Sequence, residues 1–417
     1  MAFGKIPRFS PSFSPSEAFI CARYLARSGD DQAIVTQFED EFARYIGARH
    51  AVMVPSARYG CYLLLQGLGV GEGDEVIVPA MTYFAIPAMV TLLGARPVFA
   101  DIGLHSHVLD PEAFEAAITP RTRAVIPTHL FGTPCDMDAI NAIAEKHGVK
   151  VIEDCAQSTG ARYKGKRVGG LGDASYYTFG LTKNITTLSG AMVSTDDGAL
   201  ASNVRRIAEA ATLVPWKKPA KEAFTGLAMY VATHPWVYWC TVHPAVVLGN
   251  KLGKDPIHDR FGEAEHTYAE VPSSYLASRP RAVQAAVGRK QLQRIEDLNG
   301  ARSRNGRQLD QALANVPGLE VPAYPEGAEP IYMSFVVHHD RRDALAEALR
   351  DRGVDTTVGY MNDLSDHDLF GEFRTHCPNA AEVKRKLLHV PVHPNLNSRD
   401  ITHMVQAVRD ACMEVGR

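Results

Sequence analysis

One stretch of the chain places a pair of carboxylates and a single lysine where carbonyl chemistry needs them. An apolar run at 149–152 ends on Glu153 and Asp154, and Lys183 follows a second β-type run at 175–179. A lysine amine forms a Schiff base with an aldehyde. A carboxylate can keep a pyridine nitrogen protonated, so that the ring accepts electrons from a substrate carbanion. Together these residues predict an enzyme that uses pyridoxal phosphate.

Three short motifs in this stretch resemble a known family. EDCAQ at 153–157, GDASYYTF at 172–179 and TKN at 182–184 are similar to the signature of the sugar aminotransferases grouped as DegT/DnrJ/EryC1/StrS. The resemblance covers nearly the whole chain, with an interruption near residues 212–270. It implies pyridoxal 5'-phosphate as cofactor and the fold-type-I architecture of aspartate aminotransferase.

The resemblance also implies roles for individual side chains. Lys183 is expected to carry the cofactor and then act as the general base. Because side chains alternate along a strand, only one of Glu153 and Asp154 can point into the crevice, and the family motif selects Asp154 for the pyridine nitrogen. Gln157 is expected near the ring hydroxyl and Thr178 near the phosphate. The ring of Tyr83 is expected to stack on the pyridine, although packing in the core is the alternative.

Further candidates surround these residues. Ala57 and Arg58 open a helix at the family's phosphate-binding position, where backbone N–H groups favour an anion, but the family's own side chains there differ. His129 follows a predicted strand and is a candidate for substrate binding, as is Tyr360. Arg279 falls on a family arginine near the partner subunit's phosphate region.

The order of elements predicts an α/β fold. Alternating strands and helices between residues 75 and 154, with strands at Glu75–Pro79 and 124–129, indicate a mostly parallel central sheet with helices on both faces. Functional loops of such sheets lie at the carboxyl ends of the strands. We expect a large cofactor-binding domain at 1–255, with an insert at about 212–255, and a smaller C-terminal α+β domain at 256–417.

The composition is that of an ordinary globular enzyme. Of 417 residues, 46% are apolar and 22% charged, and the formal net charge of −3 gives no electrostatic reason to expect a nucleic acid partner. None of the seven cysteines forms a C-x-x-C pair. Reduced thiols of this kind predict a cytoplasmic enzyme.

The insert has an unusual composition. All three tryptophans lie within 212–250, and residues 223–250 contain no Asp, Glu, Lys or Arg. Its unbroken apolar pieces are shorter than the ~20 residues that span a bilayer. Packing on the parent domain or in a dimer interface is one interpretation. The other is contact with a membrane surface or an apolar partner, since lysines flank the run and Trp suits a membrane–water boundary.

One pair of histidines has the types of side chain that bind metals. His105 and His107 form an H-x-H pair without an evident third ligand. We therefore expect a surface loop there, and no metal.

The resemblance thus implies a homodimeric aminotransferase with shared active sites. It implies an amino acid donor, expected to be L-glutamate, and a keto-sugar acceptor, expected to be nucleotide-linked, in amino-sugar, polysaccharide or secondary-metabolite biosynthesis. A lipid-linked or cyclitol ketone is an alternative acceptor. A dehydratase of the same fold is disfavoured by Lys183, and a non-catalytic regulator or scaffold is the alternative from another class.

Overall fold

A seven-stranded sheet organises the N-terminal part of the protein, for which the computed structural model describes residues 5–25, 31–251 and 278–416. The first nine strands are β1 (His50–Val54), β2 (Glu75–Pro79), β3 (Arg96–Ala100), β4 (Thr122–Val125), β5 (Lys150–Asp154), β6 (Arg162–Tyr163), β7 (Lys166–Arg167), β8 (Ala174–Thr178) and β9 (Ala191–Thr195). The sheet has the order β1-β9-β8-β5-β4-β2-β3. Its strands are parallel except for β9, which is antiparallel to both β1 and β8. The predicted mostly parallel α/β sheet is confirmed.

Helices cover this sheet and build the C-terminal part. They are α1 (Pro15–Leu25), α2 (Gln32–Ile46), α3 (Ala57–Gly67), α4 (Ala85–Leu92), α5 (Pro111–Ala116), α6 (Met137–His147), α7 (Gly198–Ala210), α8 (Lys217–Ala232), α9 (Pro235–Val237), α10 (His243–Lys251), α11 (Ala282–Leu292), α12 (Ile295–Leu313), α13 (Arg342–Asp351), α14 (Pro378–Lys386) and α15 (Ser398–Val415). Several begin where an Asp or Ser side chain accepts a first-turn N–H, as at Asp31, Asp136 and Asp197. Every residue of β2 is buried, as expected for a strand covered on both faces.

A smaller sheet lies in the C-terminal part. Strands β10 (Thr212–Leu213) and β11 (Ser278–Arg279) pair in parallel, β12 (Ala328–Glu329) extends the β6–β7 hairpin, and β13 (Phe335–His338), β14 (Thr357–Val358) and β15 (Leu387–Val390) form an antiparallel sheet in the order β13-β15-β14. A separate hydrophobic cluster there runs from Leu309 to Val415 and takes in Ile6 from the N-terminal arm. The predicted domain boundary at 255 falls outside the described residues.

One local prediction needs correction. The strand expected at 124–129 ends at Val125, because Pro127 has no N–H to donate to a sheet ladder. In the closing segment, Leu387–Val390 forms β15 between α14 and α15.

The insert folds as helices α8 to α10, the last two joined by a π-helical turn at Tyr238–Val242. One side is anchored. Gly226 lies so close to Phe13 that an added Cβ would come within 2.9 Å of its ring, and the buried Tyr238 hydroxyl donates to Asp355 at 2.9 Å. The other side carries exposed aromatic residues, among them Trp216 and Trp236. Among the described residues, no helix is both long and apolar enough to cross a bilayer.

Candidate active site

The loops after three neighbouring strands are tied together at one edge of the sheet. Thr82, after β2, hydrogen-bonds Thr128, after β4, at 2.8 Å between the two hydroxyls. Thr128 in turn forms a parallel bridge with Asp154 at the end of β5, and the His129 N–H donates to the Asp154 carbonyl at 3.0 Å. The carboxyl ends of β2, β4 and β5 therefore form one continuous edge, as the sequence predicted.

Asp154 holds its carboxyl group inside the protein, with 2% of the residue exposed. Its Oδ1 accepts the Ala156 N–H at 2.9 Å. Burial raises the pKa of this carboxyl, while the Ala156 N–H and the positive charge of Lys183 act in the opposite direction. The lysine and the aspartate selected from the sequence therefore act on each other electrostatically.

Glu153, one residue earlier, serves a different purpose. Its carboxylate accepts three backbone N–H groups at 2.6–2.7 Å, from Gly169, Leu171 and Gly172. Only glycine fits at 169, where φ is +92° and an added Cβ would lie 1.6 Å from the Tyr177 hydroxyl. Glu153 thus fixes the loop that enters β8 and leaves Asp154 as the carboxylate at the sheet edge.

His129 belongs to this Glu153 network. The fully buried ring has its Nε2 3.0 Å from Glu153 Oε2, and its Nδ1 accepts the Cys135 N–H at 3.0 Å. Because Nδ1 is an acceptor, the ring proton lies on Nε2 and is donated to the carboxylate. Both ring nitrogens are engaged inside the protein. This geometry favours a positioning role over the substrate contact expected from the sequence.

The loop between β8 and β9 carries Lys183. The Lys183 N–H donates to the Gly180 carbonyl at 3.1 Å, and the next side chain, Asn184, donates to the Thr159 carbonyl at 2.7 Å. The Thr186 hydroxyl donates to the Phe179 carbonyl at 3.1 Å. These contacts fix the backbone on the C-terminal side of the half-buried lysine.

Helix α3 begins beside this edge. Gly60 brings the helix onto the sheet, since an added Cβ would lie 2.8 Å from Val193 and 3.6 Å from the Cβ of Tyr176. The Ser56 hydroxyl accepts the Tyr59 N–H at 3.2 Å, and Ala57 and Arg58 lie in the same first turn, where helix N–H groups suit an anion. The phosphate cradle at these residues stays a prediction.

The remaining predicted cofactor contacts lie around the same edge. Gln157 is buried, and its Oε1 accepts the N–H of Phe131 at 3.0 Å. Tyr83 is half-buried and meets Phe84 edge-on, with ring centroids 4.7 Å apart. Thr178 is the half-buried last residue of β8.

The C-terminal part reaches this edge through the segment after β14. Leu364 donates its N–H to the Ala80 carbonyl at 2.8 Å, and Asp363 bridges to Met81. Tyr360 precedes this contact and lies half-buried, its ring centroid 5.5 Å from that of His389. Arg279 lies elsewhere, in β11, and donates to Gln32 Oε1 at 2.9 Å. Within this one chain, its hydrogen bond leads to the start of α2.

The H-x-H pair is only in part the surface loop expected from the sequence. His105 is exposed, whereas His107 is buried, with a positive φ of 64°, and its Nε2 lies 2.8 Å from that of His338. His105, His338 and Glu320 place their ligand atoms within 4.8 Å of one another. The sequence did not reveal this grouping, because its other two members lie far along the chain from His105.

The residues present fit pyridoxal phosphate. Asp154 holds a buried carboxyl group at the sheet edge, where it can take a protonated ring nitrogen. The positive charge of Lys183 acts on that carboxylate, and Cys61 of α3 interacts with it electrostatically. The residue types needed for the ring nitrogen, the aldehyde and the phosphate are therefore all present in the elements around this edge.

The fold and this arrangement define a fold-type-I pyridoxal-phosphate enzyme. The chain belongs to the DegT/DnrJ/EryC1/StrS aminotransferase family, whose family model matches residues 27–229 and 262–409. The interruption is thus shorter than the sequence suggested, and most of α8 lies within the match.

Individual members of known sequence or structure are similar to this chain over nearly its full length. The chain is 31% identical over 388 residues to the spore coat polysaccharide biosynthesis protein SpsC of Bacillus subtilis (strain 168), covering 90% of this chain and 89% of that protein. It is 30% identical to S. venezuelae DesV, solved with a ketimine intermediate, with a TM-score of 0.74 and coverage of 95% and 94%. An aminotransferase from Psychrobacter cryohalolentis is 27% identical, with a TM-score of 0.78 and coverage of 98% and 100%.

Proposed function

We propose that this protein is a pyridoxal-phosphate-dependent sugar aminotransferase that moves an amino group from L-glutamate to a nucleotide-linked keto-sugar. The observation that carries the proposal is the buried Asp154 carboxylate with Lys183 acting on it, in a chain whose family consists of aminotransferases. The relatives named for polysaccharide biosynthesis and aminotransfer support a role in making amino sugars for polysaccharides or secondary metabolites.

Each site residue then has a task. When bound, the cofactor supplies an aldehyde for the amine and a ring that accepts electrons. Lys183 Nζ would take the proton from the donor's α-carbon, which becomes the carbonyl carbon of the outgoing 2-oxo acid, and would deliver it to the cofactor carbon that keeps the amino group. Asp154 holds a proton at the ring nitrogen, because the ionised carboxylate favours the charged pyridinium.

Other residues position these groups. Glu153 fixes residues 169–172 through three backbone N–H groups and keeps Asp154 as the only carboxylate of the pair at the edge. The first turn of α3, with Ala57 and Arg58, holds the phosphate. Gln157 accepts from the Phe131 N–H and so orders the loop after β4. Tyr83 covers one face of the ring, and Tyr360 contributes from the C-terminal part.

A half-reaction tests the enzyme class and the donor. With the cofactor-loaded protein and L-glutamate alone, the absorption band of the bound cofactor should convert to that of its aminated form. Lys183→Ala, loaded in the same way, is the control that should not convert at a comparable rate. A wild-type band that stays unchanged with glutamate and other amino acids would favour the non-catalytic scaffold.

The acceptor is tested with the aminated form. Keto-sugar nucleotides should restore the starting band, whereas a cyclitol ketone or a lipid-linked ketone should not. Recovery only with one of the latter two would retain the aminotransferase and replace the proposed acceptor.

We also infer a cytoplasmic homodimer with shared active sites. Arg279 falls on a family arginine near the partner subunit's phosphate region, which supports a role toward a partner. Mixing Lys183→Ala with Arg279→Ala subunits should restore activity if both residues serve one composite site. Mixed dimers that stay inactive, with their formation verified, would contradict it.

A further inference from the structure

We propose that His105, His338 and Glu320 form a Zn²⁺ site that fastens the loop after β3 to the C-terminal sheet. The Nδ1 atoms of His105 and His338 lie 3.7 and 3.8 Å from the same oxygen, Glu320 Oε2. Two imidazoles and one carboxylate are a donor set typical of zinc, with a fourth position left for water. None of these three residues is among those assigned to aminotransfer.

The distances suit the metal. Zinc bonds of about 2.0–2.2 Å in tetrahedral geometry place neighbouring ligand atoms about 3.3–3.4 Å apart. The observed separations of 3.7 and 3.8 Å exceed this spacing by only a few tenths of an ångström, and all three ligand atoms lie within 4.8 Å of one another. His105 and Glu320 both have half-exposed side chains, so a hydrated ion can reach them from solvent.

The backbone holds the three ligands in place. Glu320 and His338 exchange both backbone hydrogen bonds, at 3.0 and 2.9 Å, and the His105 carbonyl accepts the Ala323 N–H at 3.0 Å. The loop bearing His105 and the segment bearing Glu320 are therefore already joined. A ligand set that is ordered in advance loses less conformational entropy on binding.

His107 supplies the outer contact that metal-bound imidazoles usually have. Its Nε2 lies 2.8 Å from His338 Nε2, the ring nitrogen away from Glu320. With a metal on His338 Nδ1, the Nε2–H donates to His107, which fixes the tautomer and orientation of the ligand. The buried, positive-φ position of His107 serves this contact.

A nearby lysine and a second group of possible ligands do not compete with this site. Lys386 lies 4.0 Å from Glu320 Oε1, but its ammonium is also 2.8 Å from both Asp340 and Glu382, so it does not occupy the Oε2 side. A second group of possible ligands consists of His129, Glu153 and Cys155. It is not proposed as a metal site, because the Glu153 carboxylate and both ring nitrogens of His129 are already hydrogen-bonded within the protein.

The test is zinc binding to the cofactor-loaded protein after removal of metals with a chelator. Calorimetric titration with ZnCl₂, checked by metal analysis after dialysis, should give one site that is lost or weakened at least ~10-fold in His105→Ala and in Glu320→Gln. Both side chains are half-exposed, so the variants should fold. Zinc should also raise the melting temperature of the wild type, and less so that of the variants.

The control is another histidine–carboxylate contact. His147 Nε2 lies 3.4 Å from Glu115 Oε1 on the surface, without a second histidine. His147→Ala should bind zinc as the wild type does. Equal zinc binding by the wild type, His105→Ala and Glu320→Gln would overturn the proposal, and so would a wild type that binds no zinc.

Discussion

Two regions of this protein are rich in aromatic residues, which are buried in one region and exposed in the other. Strand β8 buries Tyr176 and Tyr177 completely, and the Tyr177 ring meets that of Phe42 edge-on. The insert instead leaves Trp216 58% and Trp236 56% exposed. Aromatic residues therefore build a packed core in one region and an outer surface in the other. Composition alone does not distinguish them, whereas the contacts on each side do.

The largest expected effect is at the sheet edge, where Asp154→Asn should lower kcat/KM by about 100-fold or more. The variant loses the negative charge that holds the ring nitrogen protonated. Burial raises the pKa of Asp154 in the folded protein, so its ionisation costs stability as pH rises from the usual aspartate range through the folded pKa. At neutral pH the cofactor-free Asp154→Asn protein should therefore melt no lower than the wild type.

Glu153→Gln should produce the reverse pattern. The glutamine amide has one acceptor oxygen, so it cannot accept all the hydrogen bonds that the backbone N–H groups donate to the carboxylate. Its NH₂ group would also lie against other N–H donors. We expect a loss of about 3 kcal/mol of unfolding free energy, measured by denaturant titration, with much of the activity kept per folded molecule. If Glu153→Gln lost more activity than Asp154→Asn at full folding, the assignment of the two carboxylates would be wrong.

The insert should show a similar contrast between its two sides. Gly226→Val forces a side chain into Phe13 and should cost about 1–3 kcal/mol of unfolding free energy. Phe224→Ser, on the exposed side of the same helix, should change that free energy by less than about 0.5 kcal/mol. Equal costs at both positions would mean that the outer side is packed in the native assembly.

The smallest effect concerns what the exposed side contacts. We propose peripheral contact with an anionic membrane surface, supported by the exposed Trp236 and Trp239 and by Lys217 and Lys218 at the start of α8. Cosedimentation with anionic liposomes should weaken as salt rises, and Trp236→Glu with Trp239→Glu should reduce it without unfolding. Absence of liposome binding at low salt, or burial of these tryptophans in a dimer, would support the packing interpretation instead.

The sequence predicted the parts of the site that short motifs carry. The bounds of β2 agree with the structure, and so does the convergence of the loops after β2, β4 and β5, because the hydrophobic pattern and the parallel topology fix them. The hydrogen bonds from the backbone of residues 169–172 to the Glu153 carboxylate also join residues that are close in sequence. They were not predicted, because they depend on a loop conformation that the spacing of the glycines alone does not define.

Long-range contacts were not predictable in this way. The pairing of His107 with His338 joins residues 231 positions apart, and β15 is a four-residue strand whose partners lie in other segments. The outer side of α8 was undecided for a related reason. A run without charged residues predicts that part of the segment is buried. Which side of the helix is buried depends on the elements that pack against it, and these come from distant parts of the chain.

The central claim is that Lys183 is the residue that binds the cofactor. Borohydride reduction of the cofactor-loaded protein, followed by proteolysis and mass spectrometry, should place the cofactor mass on the peptide containing Lys183. Lys183→Ala should lack this label while Asp154→Asn keeps it. A cofactor label on any other lysine of the wild type would contradict the account.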